Sequence, residues 1–145
     1  MPMRTLLCLQ DQAPFVAPRA ESDALAAVAD ALDDIDAPPL PGDFVHFLSA
    51  ANGFVWNGIE IFGTEHIVLE RDHSVVPALI EINDSYQGKF DEMIGRLLIG
   101  RSAEDLYVFD EAADAYLILD RKGFEQIADF DTFADLLRHI VAERK

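Results

Sequence analysis

The hydrophobic positions that follow residue 20 repeat every three or four residues, which is the spacing of an α-helix. Apolar residues stand at positions 25, 28, 29 and 32, and Ser22 precedes them as the predicted N-cap. Prolines at positions 38, 39 and 41 end this helix, because proline cannot continue one. The segment around them, "DDIDAPPLP", is too short to divide the chain, so we predict a connector inside one domain.

A second helical pattern begins at Pro41, with Asp43 placed to complement the positive end of the helix dipole. Four apolar residues then share one face: Phe44, Phe47, Leu48 and Ala51. The pair Asn52-Gly53 follows at once and predicts a left-handed helix stop. A second pair, Asn57-Gly58, lies between "FVW" and "IEIF". Two β-prone runs joined by Asn-Gly predict a hairpin with a type I′ turn.

The remaining pattern predicts one more helix, a strand meander and a final helix. "HIVLER" indicates either a further strand or an irregular edge, and "PALIEINDSYQGKF" a helix with Leu79, Ile82 and Tyr86 on one side. "RLLIGR", "DLYVFDE" and "AYLILDR" read as three strands, the last two apolar on both faces and therefore covered on both sides. The last helix runs from Asp131, as N-cap, through Phe133 to Val141. We therefore predict a single α+β domain over residues 1–145, with 1–21 as an N-terminal extension or helix.

Composition agrees with a folded, water-exposed protein. Half of the 145 residues are hydrophobic, yet no apolar run is long enough to span a membrane, and the N-terminus lacks a signal-peptide pattern. The single cysteine, Cys8, excludes an internal disulfide and is most simply a small packed side chain. These features indicate a cytoplasmic location.

The net charge is the most informative feature of the composition. Twenty-seven acids against eleven lysines and arginines give a formal net charge of −16. Such a surface repels phosphate, so we expect no direct binding of nucleic acid or anionic membrane, and it attracts a basic partner. The alternative is that the acids only keep the protein soluble. Residues 20–70 contain no lysine or arginine, and 104–114 hold five acids and no base.

Three residue sets suggest chemistry, and each fails. His66, Glu70 and His73 share a face only in a helix, whereas the β-branched residues between them favour an extended segment. A set of Asp43, His46 and Ser49 would lie on the outer face of one helix, where residues cannot converge as a triad does. We interpret that set as a solvated polar face.

The third set, Asp110, Glu111 and Asp114, offers carboxylates for acid–base work, but strand ends and turns commonly carry acids and no sugar-stacking aromatics accompany them. No phosphate-binding glycine motif occurs. We therefore expect no enzyme activity, no cofactor and no metal.

Several motifs together resemble the SMI1/KNR4 superfamily, also called SUKH, and within it the bacterial YrhA-like branch. The resemblance rests on Leu40-Pro41, "FLSAANG" and "FVWNGIEIFGT". It extends to "LLIGRSAEDLYVFD", "AYLILDR" and "FDTFADLLRHI", and so covers the chain from about Ser22 onward. Arg101-Ser102-Ala103 departs from the family, in which many members have a Gly-Asp turn there.

The resemblance implies a mostly antiparallel sheet with helices packed on it and no catalytic set. Bacterial members of the family are inferred to be immunity proteins that neutralise polymorphic toxins, often nucleases. Eukaryotic relatives are interaction proteins of cell-wall regulation. The expected function is therefore neutralisation of a basic toxin, and the alternative is a general cytoplasmic interaction or regulatory module. The sequence does not indicate an oligomeric state or the partner's identity.

The uneven charge selects candidate partner-binding residues. In an antiparallel meander, the loop acids of neighbouring strands can gather at one end of the sheet. Phe54 and Trp56 of the hairpin would provide an apolar centre, although a core role for Trp56 is an equal alternative. The candidates are Phe54, Trp56, Glu60, Glu104, Asp105, Asp110, Glu111 and Asp114.

Overall fold

In the computed structural model, which describes residues 15–69 and 75–143, seven strands form one antiparallel sheet. These strands are β1 (Phe15–Val16), β2 (Phe54–Trp56), β3 (Ile59–Ile61), β6 (Arg96–Arg101), β7 (Asp105–Asp110), β8 (Ala115–Asp120) and β9 (Gln126–Phe130). Two further strands, β4 (Ile67–Val68) and β5 (Val75–Val76), pair only with each other. The helices are α1 (Ser22–Asp34), α2 (Gly42–Leu48), α3 (Leu79–Tyr86) and α4 (Phe133–Glu143), with a 3-10 turn at Asp91–Met93.

The order across the sheet is β1-β2-β3-β6-β7-β8-β9, so strands that are consecutive in this part of the chain are mostly neighbours in space. The architecture is α+β, as predicted, and the three predicted strands of the meander are present as β6, β7 and β8. All of β8 except Asp120 is buried, in agreement with its apolar character on both faces. Within the segment 1–21, which we predicted as an N-terminal extension or helix, residues 15–16 form strand β1. Cys8 lies outside the described residues.

The meander has one strand that the hydrophobic pattern does not predict. β9 follows β8 through the turn at 121–125 and pairs with it from Tyr116 to Leu119. Its side chains are exposed or half-buried throughout, since it lies at the edge of the sheet. The chain is extended there because β8 offers unpaired backbone groups, and the local sequence contributes little.

Aromatic rings join two helices to the sheet. The Phe133 ring of α4 lies 4.8 Å from Phe47 and 5.1 Å from Phe44, both on α2, and 5.9 Å from Tyr116 on β8. Phe47 also contacts Phe54 of β2 at 6.5 Å. All five side chains are buried, so the predicted apolar face of the second helix is confirmed. Together these rings form the centre of the core.

The two Asn-Gly pairs have different outcomes. Asn57 and Gly58 both have positive φ, +47° and +84°, and Trp56 pairs with Ile59 across them, so the type I′ hairpin is confirmed. The helix stop predicted at Asn52-Gly53 is wrong, because α2 already ends at Leu48. Gly53 has a φ of +96°, but it lies in the connection to β2, where an added Cβ would come within 2.8 Å of the Ile61 carbonyl oxygen.

Two predicted N-caps are displaced by one residue. Ser22 is the first residue of α1, and Glu21 occupies the N-cap position without a side-chain hydrogen bond. At α4 the cap is Thr132 and not Asp131: the Thr132 hydroxyl accepts a hydrogen bond of 3.1 Å from the Asp135 N–H. In each case the helix begins one residue away from the predicted position, which is within the usual uncertainty of helix ends.

Candidate functional site

The apolar centre predicted at the hairpin is wrong. Phe54 and Trp56 are only 0% and 4% exposed, so neither ring offers a surface to a partner. The physical reason is strand alternation: Phe54, Trp56, Ile59 and Ile61 all point into the core, while Val55 and Glu60 lie between them and are half-buried. The core role of Trp56 that the sequence left open is the one observed.

Glu60 is present at the surface but already has a cationic partner. Its Oε1 lies 2.9 Å from Nε of Arg101 on the neighbouring strand β6, and the two side chains are 28% and 20% exposed. The Arg101 guanidinium also lies over the Phe62 ring, 5.5 Å from its centre. Glu60 is therefore engaged within the sheet, and its charge is largely compensated for any approaching protein.

The remaining acids do not gather at one end of the sheet, so that prediction is also wrong. Glu104 and Asp105 stand where β7 begins, and Asp110, Glu111 and Asp114 stand where it ends. From Asp105 to Asp110 the strand rises by about 17 Å, at about 3.4 Å per residue. We call these two places the Glu104 end, with the turns 102–104 and 121–125, and the Glu111 end, with the turn 111–114.

The Glu104 end is held by backbone and side-chain hydrogen bonds. The Glu104 carbonyl accepts from the Arg121 N–H at 2.9 Å, and the Arg121 guanidinium donates to the Ser102 carbonyl at 2.8 Å. The Ser102 hydroxyl accepts from the Asp105 N–H at 3.1 Å. Asp105 stands opposite Asp120 in the β7–β8 pairing, and the Glu104 side chain is exposed. These hydrogen bonds therefore hold in place the backbone that carries the carboxylates at this end.

At the Glu111 end, Asp110 has a structural task. It lies 3.1 Å from Nε of Arg96 and accepts a hydrogen bond of 3.0 Å from the Ala113 N–H, while Glu111 and Asp114 are exposed. Partial burial acts to raise the pKa of Asp110, but the Ala113 hydrogen bond and the charge of Arg96 outweigh it, and the pKa lies below its usual value. A general acid needs a raised pKa, so Asp110 does not have the property that the acid of a carboxylate pair requires.

Asp43, His46 and Ser49 are all exposed, in agreement with their interpretation as a solvated polar face, but Asp43 also makes two hydrogen bonds to other elements. Its Oδ1 accepts a hydrogen bond from the Tyr116 hydroxyl, and its Oδ2 accepts one of 2.8 Å from the Phe133 N–H at the start of α4. The Ser49 hydroxyl donates to the Val45 carbonyl at 2.9 Å. Asp43 and Ser49 thus have other hydrogen-bond partners in the described part of the chain, and the three residues form no triad.

The set of His66, Glu70 and His73, which the sequence pattern did not support as a metal site, is only partly described. His66 is exposed and lines an open groove of about 320 Å³, together with Arg19, Asn52 and Glu65. Glu70 and His73 lie outside the described residues. Among residues 15–69 and 75–143, no group of three or more His, Cys, Asp or Glu side chains is placed to hold a metal ion.

Three aromatic rings form a cluster near the surface that the hydrophobic pattern does not predict. The Phe90 ring lies 5.4 Å from Tyr86 and 5.1 Å from Phe124, and the Tyr86 and Phe124 rings meet edge-on at 6.5 Å. Phe90 is 40% exposed, and the other two are half-buried. A signal existed in the sequence: "QGKFDE" and "RKGFEQ" each place one phenylalanine inside a charged, glycine-containing loop, where burial would not be expected. We call these three residues the aromatic cluster.

Both loops of the aromatic cluster carry exposed charges of both signs. Exposed acids adjoin Phe90 and Phe124 in sequence: Asp91, Glu92 and Glu125. Exposed cations adjoin them as well: Lys89 and Lys122. Phe124 lies in the turn 121–125 at the Glu104 end of the sheet. The loop of Phe90 leads into β6 at the Glu111 end, where the Gly95 carbonyl accepts a hydrogen bond of 3.0 Å from the Glu111 N–H.

No helix in the described residues is both long and apolar enough to cross a membrane. The sequence matches no established protein-family model and no curated protein, so the resemblance to the SMI1/KNR4 superfamily stays a prediction.

Proposed function

We propose that this protein is a non-catalytic, acidic protein-binding domain that acts in the cytoplasm on a basic protein partner. In the specific form that we favour, the partner is a nuclease-type toxin, and the domain neutralises it by occupying its basic cleft. Three points support the proposal: the acidic charge, the engagement of Asp43, Ser49 and Asp110 in structural hydrogen bonds, and the resemblance of the chain to a family whose bacterial members are inferred to be immunity proteins.

The observation that carries the proposal is the uncompensated charge of the surface. Three arginines are paired with acids, Arg96, Arg101 and Arg138, and Arg121 is bound to a backbone carbonyl. Against this, α1 and its flanks expose a row of acids with no basic residue between them: Glu21, Asp23, Asp30, Asp33, Asp34 and Asp36. A surface of this kind lowers the free energy of a cationic protein over a long range.

Occlusion is the mechanism that such a surface performs best. A nuclease must present cations to the phosphates of its substrate, and carboxylates on this domain can take the place of those phosphates. Complementary charge speeds the encounter, while the strength of the complex comes from a small desolvated centre. No covalent bond is made or broken, so inhibition is stoichiometric, with one domain bound to each toxin molecule.

A second candidate is a cytoplasmic interaction module with no toxin partner. The distribution of acids favours it in one respect, because they occupy α1 and both ends of the sheet and do not form one patch. A diffuse surface suits several weak basic partners better than one tight complex.

The test uses the protein encoded beside this gene, expressed as its C-terminal domain. We expect a stoichiometric complex, loss of the domain's nuclease activity in the complex, and rescue of growth when the two are co-expressed. Binding to basic proteins without inhibition of any neighbouring product would instead identify the interaction module. An acidic partner, or association that does not change between low and physiological salt, would overturn the proposal in both forms.

A further inference from the structure

We propose that the aromatic cluster is the close-contact point of the partner interface, and that it receives an arginine-bearing, partly apolar segment of a basic protein. This inference rests on the proposed function, since it names where and by what chemistry the basic partner docks. It takes the place of the apolar centre at Phe54 and Trp56, which the structure buries.

The first argument is the geometry of the rings. Tyr86 ends α3, Phe90 follows it in the next loop, and Phe124 comes from the turn between β8 and β9. Their centres lie 5.1 to 6.5 Å apart, which is the range in which aromatic rings pack on one another. Phe90 nevertheless remains 40% exposed. Two distant segments thus build one fixed, partly open aromatic surface, as the anchor positions of protein interfaces require.

The second argument is the backbone of Phe124. Its φ is +61°, a conformation that is rare for any aromatic residue, although Gly123 beside it would adopt it freely. Two backbone hydrogen bonds hold the turn: the Phe124 N–H donates to the Asp120 carbonyl at 2.7 Å, and the Asp120 N–H donates to the Glu125 carbonyl at 2.8 Å. The chain thus accepts local strain at a position that directs a ring toward Tyr86 and Phe90. Such strain concentrates at sites of function.

The third argument concerns the charge around the aromatic cluster. Asp91 and Glu125 are exposed directly after Phe90 and Phe124, but Lys89 and Lys122 are exposed in the same two loops as the rings. Rim charges of both signs cannot by themselves select a partner. The net charge of −16 brings a cationic protein near, and the rings then favour the cation that binds aromatic faces best. That cation is the guanidinium group, because it is planar and weakly hydrated.

The experiment measures binding of three short synthetic peptides to the full-length protein by fluorescence anisotropy. The peptides alternate leucine with arginine, with lysine or with glutamate. We expect the arginine peptide to bind about two- to fivefold more tightly than the lysine peptide, since both carry the same charge and differ in their contact with rings. We expect the glutamate peptide not to bind.

Three variants locate the contact. Phe90→Ala and Phe124→Asn should each weaken binding of the arginine peptide by about tenfold. Asparagine is used at position 124 because it tolerates the positive φ. Phe90→Leu keeps apolar bulk and should abolish the preference for arginine over lysine. The matched control is Val75→Ala, because Val75 is 53% exposed and belongs to β5. Thermal unfolding of each variant shows whether its fold is intact.

The outcomes separate this inference from the function on which it rests. Salt-dependent binding of both cationic peptides that is unchanged in the Phe90 and Phe124 variants would overturn the aromatic contact and leave the proposed function standing. Equal binding of the glutamate peptide, or no binding of either cationic peptide at low salt, would overturn both.

Discussion

The side chain of Asn83 continues the β-sheet beside Leu98. Its Nδ2 donates to the Leu98 carbonyl and its Oδ1 accepts from the Leu98 N–H, at 2.9 and 2.8 Å, so one amide takes the place of a neighbouring strand. β3 pairs with β6 only at Gly100 and Arg101, and α3 covers the rest of that edge of β6. Gln87, one helical turn later, donates to the Arg96 carbonyl at 2.9 Å. A helix thereby closes a sheet edge that would otherwise expose its backbone.

The first prediction follows from the complete burial of Asn83. Asn83→Leu removes both bonds and leaves a buried N–H and a buried carbonyl of Leu98 unsatisfied, so we expect a loss of about 2–5 kcal/mol in the free energy of unfolding. Denaturant unfolding measures it. Ser85→Ala is the control, because Ser85 lies on the exposed side of the same helix. Equal stability of both variants would show that the edge is closed by packing alone.

This pair also shows what the sequence can and cannot predict. The helix itself was predictable, because Leu79, Ile82 and Tyr86 repeat at helical spacing. The role of Asn83 was not, since its partner is fifteen residues away in the chain and a polar residue on a helix normally faces water. The same limit applies to Asp43, whose partners Tyr116 and Phe133 belong to other elements. Periodicity predicts elements, whereas such contacts depend on how the elements pack.

The candidate site was harder to predict than the fold. The acids could be read directly from the sequence, but their division between two ends of the sheet depends on the direction of β7. The sequence places Phe54 and Trp56 close to the acid Glu60 and so suggests them as the apolar centre of an interface. The alternation of side chains along the strand turns both rings into the core. Phe90 and Phe124 of the aromatic cluster lie in loops 34 residues apart, and only the folded chain brings them together.

A second prediction concerns the pH dependence of stability through Tyr116. Burial raises the pKa of its hydroxyl above the ordinary value of 10.0, and the hydrogen bond to Asp43 and the charges of Asp43 and Asp114 raise it further. The folded state therefore holds this proton more tightly than the unfolded state does. The stabilisation is complete below pH 10 and is lost as the pH rises above it, by at most about 1.4 kcal/mol per pH unit.

Tyr116→Phe tests this. We expect the variant to be less stable by about 1 kcal/mol at neutral pH, through the lost hydrogen bond, and to lose stability less steeply above pH 10. Urea unfolding at several pH values measures both effects, and Tyr86→Phe controls for removal of a less buried hydroxyl. Parallel stability curves for the parent and Tyr116→Phe above pH 10 would contradict the assignment.

The third prediction concerns the hairpin turn. Gly58 has a φ of +84°, so Gly58→Val forces a β-branched side chain into the left-handed region and should cost about 1–3 kcal/mol. Gly123→Val is the matched control, because Gly123 has no positive φ and an added Cβ would meet only an Asp120 oxygen at 4.0 Å. Thermal unfolding compares the two, and a melting temperature equal to that of the parent in Gly58→Val would refute the role of the turn.

The fourth prediction concerns the contact between Asn52 and the chain that follows β3. The Asn52 amide accepts from the Thr64 N–H and donates to the Thr64 hydroxyl, both at 2.7 Å. A Cβ on Gly63 would overlap the backbone of Asn52, which cannot move aside. We expect Gly63→Ala to cost more than about 2 kcal/mol, whereas Gly42→Ala, with no atom near, should be nearly neutral. Denaturant unfolding in which Gly63→Ala is as stable as Gly42→Ala would show that this close contact is not required.

The final prediction uses the distance between the two ends of the sheet to find which one faces the partner. Two variants remove the same charge: Glu104→Gln with Glu125→Gln, and Glu111→Gln with Asp114→Asn. Asparagine suits position 114, where φ is +53°. The charge screening length is about 30 Å at 0.01 M salt and about 10 Å at 0.1 M. The ends are about 17 Å apart, so their separation lies between the two lengths.

At 0.01 M salt, both variants should therefore slow association with the basic neighbouring-gene product to a similar degree, because each lowers the net charge equally. At 0.1 M salt only charges close to the interface still act, and the Glu104–Glu125 variant should remain the slower of the two, since Glu125 directly follows Phe124, whereas Glu111 meets the Phe90 loop only at Gly95. Stopped-flow kinetics at the two salt concentrations measure the association rates, and Phe90→Ala should change mainly the dissociation rate. A larger effect of the Glu111–Asp114 variant at 0.1 M would place the interface at the opposite end of β7.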